Sequence, residues 1–139
     1  MEGAVVHIHV PYKPTPQQRH RHTHSGRAYD PCCQMKRDFL ELCLRVRQPL
    51  SDHHHTCPVQ CELTFTFARP KSHLTTKGAL KKSAPVKHVY KPDTDNLAKF
   101  VLDALNGTYY HDDSQVYSLS VRKQYGLENS VRVKLSYTT

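Results

Sequence analysis

Residues 90–116 read YKPDTDNLAKFVLDALNGTYYHDDSQV, and how this stretch divides into helix, turn and strand decides the fold. At about 100° per residue, Leu97, Ala98, Phe100, Val101, Leu102, Ala104 and Leu105 fall on one broad arc. Asp95, Asn96, Lys99, Asp103 and Asn106 fill the remainder. The spacing predicts a helix over 95–106, with Asp95 as a candidate N-cap and Asn106-Gly107 as the stop. The arc is wider than packing on one sheet requires, so part of it is expected to meet another subunit. The turn GTYYH then leads through Asp112 and Asp113 into a strand. Alternation puts Asp113 on the packed side with Tyr117, Leu119 and Val121, and Asp112 on the other side with Ser118 and Ser120.

Outward from this stretch, periodicity predicts the other elements. Residues 4–10 (AVVHIHV) alternate as a strand, with Val6, Ile8 and Val10 facing one way. Residues 33–47 repeat apolar side chains at helical spacing (Met35, Phe39, Leu42, Cys43, Val46), and Pro49 follows the end. Residues 59–67 (VQCELTFTF) place Val59, Cys61, Leu63, Phe65 and Phe67 on one face. Two strands close the chain near 115–124 and 130–138, joined by a turn around Gly126. The expected class is α+β, in the order β-α-β-α-β-β. A mixed sheet carries helices on one face, because its strands show one polar side. The 139 residues suit one domain, 1–139. Basic, irregular loops are expected at about 11–31 and 69–91, the second mobile.

The charge pattern carries the functional signal. The chain holds 20 Lys and Arg against 12 acids, a net charge of +8, which points to a polyanionic partner, nucleic acid first. Five of the acids, all Asp, stand in the opening stretch: Asp93, Asp95, Asp103, Asp112 and Asp113. Alone, Asp-x-Asp before a helix is a cap, Lys99 between Asp95 and Asp103 is a solvated i,i+4 network, and Asp112-Asp113 is a turn. Together, in a chain otherwise poor in acid, they suggest carboxylates that converge. Two unit charges at 4 Å repel by about 4 kcal/mol at an effective dielectric of 20, and a divalent cation relieves that. Short Asp side chains suit Mg²⁺, which takes one or two carboxylates plus phosphate oxygens. Metal-assisted phosphodiester hydrolysis is the chemistry that follows.

KPDTDNLAKFVLDALNG…DDSQV resembles the signature of the RusA-type endodeoxyribonucleases, which resolve Holliday junctions. PTPQQRHRHTHSGRAYDP is similar to that family's N-terminal basic loop, and ARPKSH with the following lysines fits its second. The resemblance implies a small homodimer requiring Mg²⁺, with Mn²⁺ able to substitute. It would make paired symmetric cuts in branched DNA, chiefly four-way junctions, in recombination and repair. Carried over by position, Asp93, Asp95 and Asp113 match the catalytic metal-binding carboxylates, with Asp112 a further ligand. Lys99 matches the lysine at the scissile phosphate or attacking water. DNA-binding side chains are expected from Lys13, Arg19, Arg21 and Arg27, and from Arg69, Lys71, Lys77, Lys81, Lys82, Lys87 and Lys91. Asn96 is expected to order the helix start.

Two other readings compete. A catalytically silent nucleic-acid-binding module would use the same loops, with the acids reduced to capping. A nuclease of broader range would cut flaps and forks. His53, His54, His55, Cys57 and Cys61 have zinc-ligand chemistry, but their spacing matches no familiar closed site. Five cysteines, an odd number, together with the absence of a secretory leader, suggest reduced thiols and an intracellular setting. No stretch approaches the ~20 apolar residues that span a bilayer.

Overall fold

The computed structural model describes residues 3–51 and 56–138. Along the chain come β1 (Val5–Val10), a two-residue hairpin of β2 (Arg21–His22) and β3 (Ala28–Tyr29), α1 (Cys33–Val46), β4 (Val59–Ala68), α2 (Thr94–Leu105), β5 (Val116–Gly126) and β6 (Ser130–Tyr137). The main sheet has the order β1-β6-β4-β5. β4 and β5 run parallel, while β6 is antiparallel to both β1 and β4. The expected α+β class and mixed sheet are what the chain forms. The small hairpin inside the first basic loop is an addition that no alternation pattern in RHTHSGRAY announces.

Alternation decides which side of the sheet is covered. Val6, Ile8 and Val10, then Cys61, Leu63 and Phe65, then Val131, Val133, Leu135 and Tyr137, are all buried. Both helices pack on that face. The opposite face keeps His7, His9, Glu62 and Arg132 exposed. Between the helices, Phe39 of α1 meets Phe100 of α2 with centroids 5.9 Å apart, and Tyr12 stands 5.1 Å from Phe39. Leu97, Phe100, Val101 and Leu105 are therefore buried within one protomer. The width of the α2 arc gives no reason to invoke a second subunit.

A parallel strand pair needs a crossover, and α2 supplies it between β4 and β5. That connection lays α2 beside β5, the edge strand. The chain between them is held by two tyrosines that read as mere linker in the sequence. Tyr109 and Tyr110 are fully buried. Tyr109 donates its hydroxyl to Arg47 O, Tyr110 to Leu102 O, and Tyr137 to Tyr109 O, each at 2.6 Å. Burial pushes all three phenols upward, so they remain protonated donors. Gly107, at φ 82°, takes the left-handed conformation that ends α2 as expected.

The 69–91 segment contains one 3-10 turn (Lys71–His73) and an isolated bridge between Leu74 and Leu80. Arg69 donates to Pro85 O at 2.6 Å, and its guanidinium lies 4.6 Å from the Tyr125 ring centroid. His88 packs between Phe67 and Tyr125, at 4.2 and 4.9 Å. Among the described residues, no helix is long and apolar enough to cross a membrane.

Candidate active site

α2 and β5 form the two walls of an open cleft of about 450 Å³. Asp95, Lys99 and Asp103 enter it from the helix, and Asp113, Leu119 and Val121 from the other wall. The helical side chains are spaced i, i+4, i+8, so at 1.5 Å rise per residue they span about 12 Å of the cleft. Asp113 reaches it differently from the expectation. It lies in a 3-10 turn, Asp113–Gln115, and β5 begins only at Val116. A register irregularity opposite Val59 and Gln60 absorbs one residue at the start of β5, and Tyr117 is exposed. Strand parity therefore cannot be extended back to Asp113, although Leu119 and Val121 do share its cleft.

The roles of the acids separate by what their oxygens already do. Asp112 is spent: its carboxylate accepts from Ser114 N at 3.1 Å, and its own N–H donates to Gln115 Oε1 at 2.8 Å. This is a reciprocal cap on the 3-10 turn, and the Ser114 bonds hold the Asp112 carboxyl below its usual range. Asp112 does not line the cleft, so the expected ligand role passes to Asp113. Asp93, not Asp95, occupies the N-cap position of α2, yet its side chain makes no capping hydrogen bond. Asp95 Oδ1 accepts from Asn96 N at 2.9 Å. The Asn96 amide side chain caps nothing, contrary to the expectation for it. Asp113 and Lys99 have no side-chain hydrogen bond or ion pair among the described residues. The i,i+4 network that would have made Lys99 a surface ornament is not formed.

Asp93 opens into a neighbouring groove beside Lys13, Lys91 and Asn96. Among the described residues, no three His, Cys, Asp or Glu side chains are grouped so as to hold a metal ion. The expected meeting of Asp93, Asp95 and Asp113 at one point is thus not present in the protein alone. Asp95 and Asp113 share one cleft, and Asp93 is across the start of the same helix. Two carboxylates completed by substrate phosphate oxygens still fit a Mg²⁺-type cation, which rarely takes an all-protein cage.

Three residues that the sequence did not single out hold this arrangement. Lys36 of α1 donates to Asp30 Oδ2 at 2.6 Å and to Asp103 Oδ2 at 3.3 Å, tying the first basic loop to the cleft wall. Gln17 N donates to Asn96 O at 2.9 Å, joining the same loop to α2. Lys123 of β5 donates to Tyr90 O and Pro92 O, at 2.6 and 2.9 Å, and so seats the segment leading into Asp93. Of these only Lys36 had a signal, a lysine six residues after an Asp, and that spacing has no meaning without the tertiary fold.

Burial raises the Asp30 carboxyl, but Lys36, the Cys32 N–H and Gln17 outweigh it and lower it from 3.8 to about 2. A depressed folded value contributes stability above the unfolded value and loses it as pH falls. Denaturation midpoints should therefore fall as pH drops from about 4 to about 2, by an amount of order 2 kcal/mol. Asp30→Asn should be less stable at neutral pH and show a shallower slope in that window. Equal slopes would show that this pair contributes nothing.

The cationic residues divide likewise. Lys13, Arg19, Arg21, Arg27, Lys71, Lys77, Lys81, Lys82, Lys87 and Lys91 are exposed, with no ion pair among the described residues. Arg69 is the exception. Its guanidinium is engaged by Pro85 O and Tyr125, so it fastens the second loop. His53, His54 and His55 lie outside the described residues. Cys61 is a core residue whose thiol is pushed up to about 12 by burial, which removes it as a ready zinc ligand.

Residues 11–136 match the family described as Endodeoxyribonuclease RusA. The chain is also 39% identical over 82 residues to the uncharacterized protein YqaN of Bacillus subtilis (strain 168). That match covers 58% of this chain and 58% of the length of YqaN. The family match takes in both helices, the cleft and its two flanking loops, and on that extent the chain belongs to the RusA endodeoxyribonuclease family.

Proposed function

We propose that the protein is a divalent-metal-dependent endodeoxyribonuclease that resolves four-way DNA junctions by paired cuts, acting as a homodimer. One observation carries this reading. Asp93, Asp95, Asp113 and Lys99, which sequence reasoning marks as catalytic, are left without the structural bonds that would explain them, while Asp112 beside them is fully used. Family membership supports the reaction class.

Asp95 and Asp113, with Asp93 from across the helix start, would hold the cation, Mg²⁺ or Mn²⁺. When bound, it supplies charge neutralisation at the phosphate and an activated water. Lys99, one turn from Asp95 and free of ion pairs, places its ammonium against the scissile phosphate. The lysines and arginines of the 11–31 and 69–91 loops hold phosphates on either side, and such contacts position the strand without reading its bases. Lys36 draws Asp103 aside, which leaves Asp95 and Asp113 as the cleft carboxylates available to a ligand. A two-fold dimer would place two such clefts on a junction that has near two-fold symmetry.

The test is a synthetic four-way junction incubated with Mg²⁺ or EDTA, with both strand products mapped beside flap and fork substrates. Symmetric nicks on opposed strands in Mg²⁺ alone, with binding that weakens steeply as salt rises, are the expected result. Junction binding with no cutting in any divalent cation would leave a silent binding module. Flaps and forks cut as fast as junctions would leave a nuclease of broader range.

A further inference from the structure

Across the α2 start from the cleft lies a groove of about 480 Å³ that no part of the hydrolytic reading uses beyond Asp93. It is within the range of about 300–1,000 Å³ typical of small-molecule pockets. Its chemistry is not that of a plain phosphate channel. Pro14 and Phe67 give it apolar walls, and Phe67 is backed by the His88 ring, with centroids 4.2 Å apart. Lys13 and Lys91 stand at its rim without acid partners among the described residues. A flat apolar wall with flanking cations suits a base between two phosphates.

Two amides make the match more specific. Asn96 spends its backbone groups on Asp95 and Gln17, while its side-chain amide makes no hydrogen bond among the described residues. A free amide, donor and acceptor together, pairs with base edges. Gln17 is only 8% exposed and lines the same groove. Its Nε2 donates to Gln18 O at 2.8 Å and to Asp30 Oδ1 at 2.9 Å, which fixes how the amide is turned. Its Oε1 is left buried without a partner. Buried acceptors are normally matched, so this one lacks a donor that a ligand can bring after a small local shift.

We propose that this groove takes one unstacked nucleobase of the strand whose phosphate lies in the cleft, and that it favours a base with an exocyclic amino group. The proposal rests on the nuclease reading and adds a base-reading subsite to it. The exocyclic amine meets Gln17 Oε1, Asn96 contacts the rest of the base edge, Phe67 and Pro14 flank the ring, and Lys13 and Lys91 hold the neighbouring phosphates. Thymine, which has no amino group, leaves Gln17 unmatched.

The experiment places 2-aminopurine singly at each position around the branch of a four-way junction and adds the full chain in EDTA. Fluorescence is expected to rise severalfold at one position beside the cut site, and Asn96→Ala should remove most of that rise while the junction stays bound. In Mg²⁺, junctions differing only at that position should be cut about tenfold more slowly with thymine than with an amino-bearing base. Asn96→Ala should shrink that ratio towards one. A protein that binds and cuts, yet brightens no position and cuts the thymine junction equally well, overturns the subsite alone. A protein that neither binds nor cuts junctions overturns this proposal and the nuclease reading together.

Discussion

Asp113→Asn should lower junction cutting by about a thousandfold or more, because a lost cation ligand removes several kcal/mol of transition-state stabilisation at about 1.4 kcal/mol per decade. Junction binding in EDTA should persist, since a negative charge has been removed from a surface that faces phosphates. The melting temperature in EDTA should be unchanged or raised. Asp113 has no side-chain hydrogen bond or ion pair among the described residues, so its amide costs the fold nothing. Asp112→Asn makes the contrast. There the reciprocal cap with Ser114 and Gln115 is disturbed, and the fold should soften while residual cutting stays far above that of Asp113→Asn. Wild-type cutting by Asp113→Asn would reassign the cleft. A large fall in its melting temperature would mean that the carboxylate is a structural acceptor.

The second large effect belongs to Tyr110→Ala. The ring is fully buried beneath the turn that presents Asp113, and its hydroxyl closes the Leu102 carbonyl on α2. Deleting a buried aromatic ring costs about 3–5 kcal/mol, and the stranded carbonyl adds to that. Tyr110→Phe keeps the ring and loses one hydrogen bond, so its cost should be near 1 kcal/mol. Denaturant titrations of both variants separate packing from bonding. Similar losses for the two would mean that the hydroxyl, not the ring, holds the turn.

These two sites also show where the sequence was legible. The α2 face was readable because a helix repeats every 3.6 residues. Leu97, Ala98, Phe100, Val101, Ala104 and Leu105 are buried as their spacing required. β1, β4 and β6 were readable for the same reason at period two. The crowd of Asp residues was readable because acid is scarce elsewhere. Parity failed at Asp113, where a 3-10 turn and an irregular register intervene between the motif and the strand. The apolar width of α2 misled because the facing aromatic group, Tyr12 and Phe39, comes from distant parts of the chain. Arg69 read as one more DNA-facing cation because composition does not reveal that Tyr125 and the Pro85 carbonyl wait beside it. Lys36 and Lys123 carried no local signal, as each bonds groups 31 or more residues away.

The fold thus explains why one Asp of a neighbouring pair is structural and the other is free. A 3-10 turn needs one capping carboxylate, Asp112 supplies it, and Asp113 is turned into the cleft. Asp93 and Asp95 stand in a similar relation to α2, where the N-cap position is filled by a side chain that does not cap. Capping residues typically contribute about 1 kcal/mol when they do bond. Leaving that contribution unused at Asp93 is the kind of local inconsistency expected where function overrides stability.

The most direct measurement counts Mn²⁺ by electron paramagnetic resonance on the protein bound to a non-hydrolysable four-way junction, with the Asp95→Asn/Asp113→Asn double variant on the same DNA as baseline. At least one additional Mn²⁺ per protomer on the wild-type complex is the predicted result. Equal counts on both complexes, with both proteins folded and bound, would contradict the claim that these carboxylates hold a divalent cation.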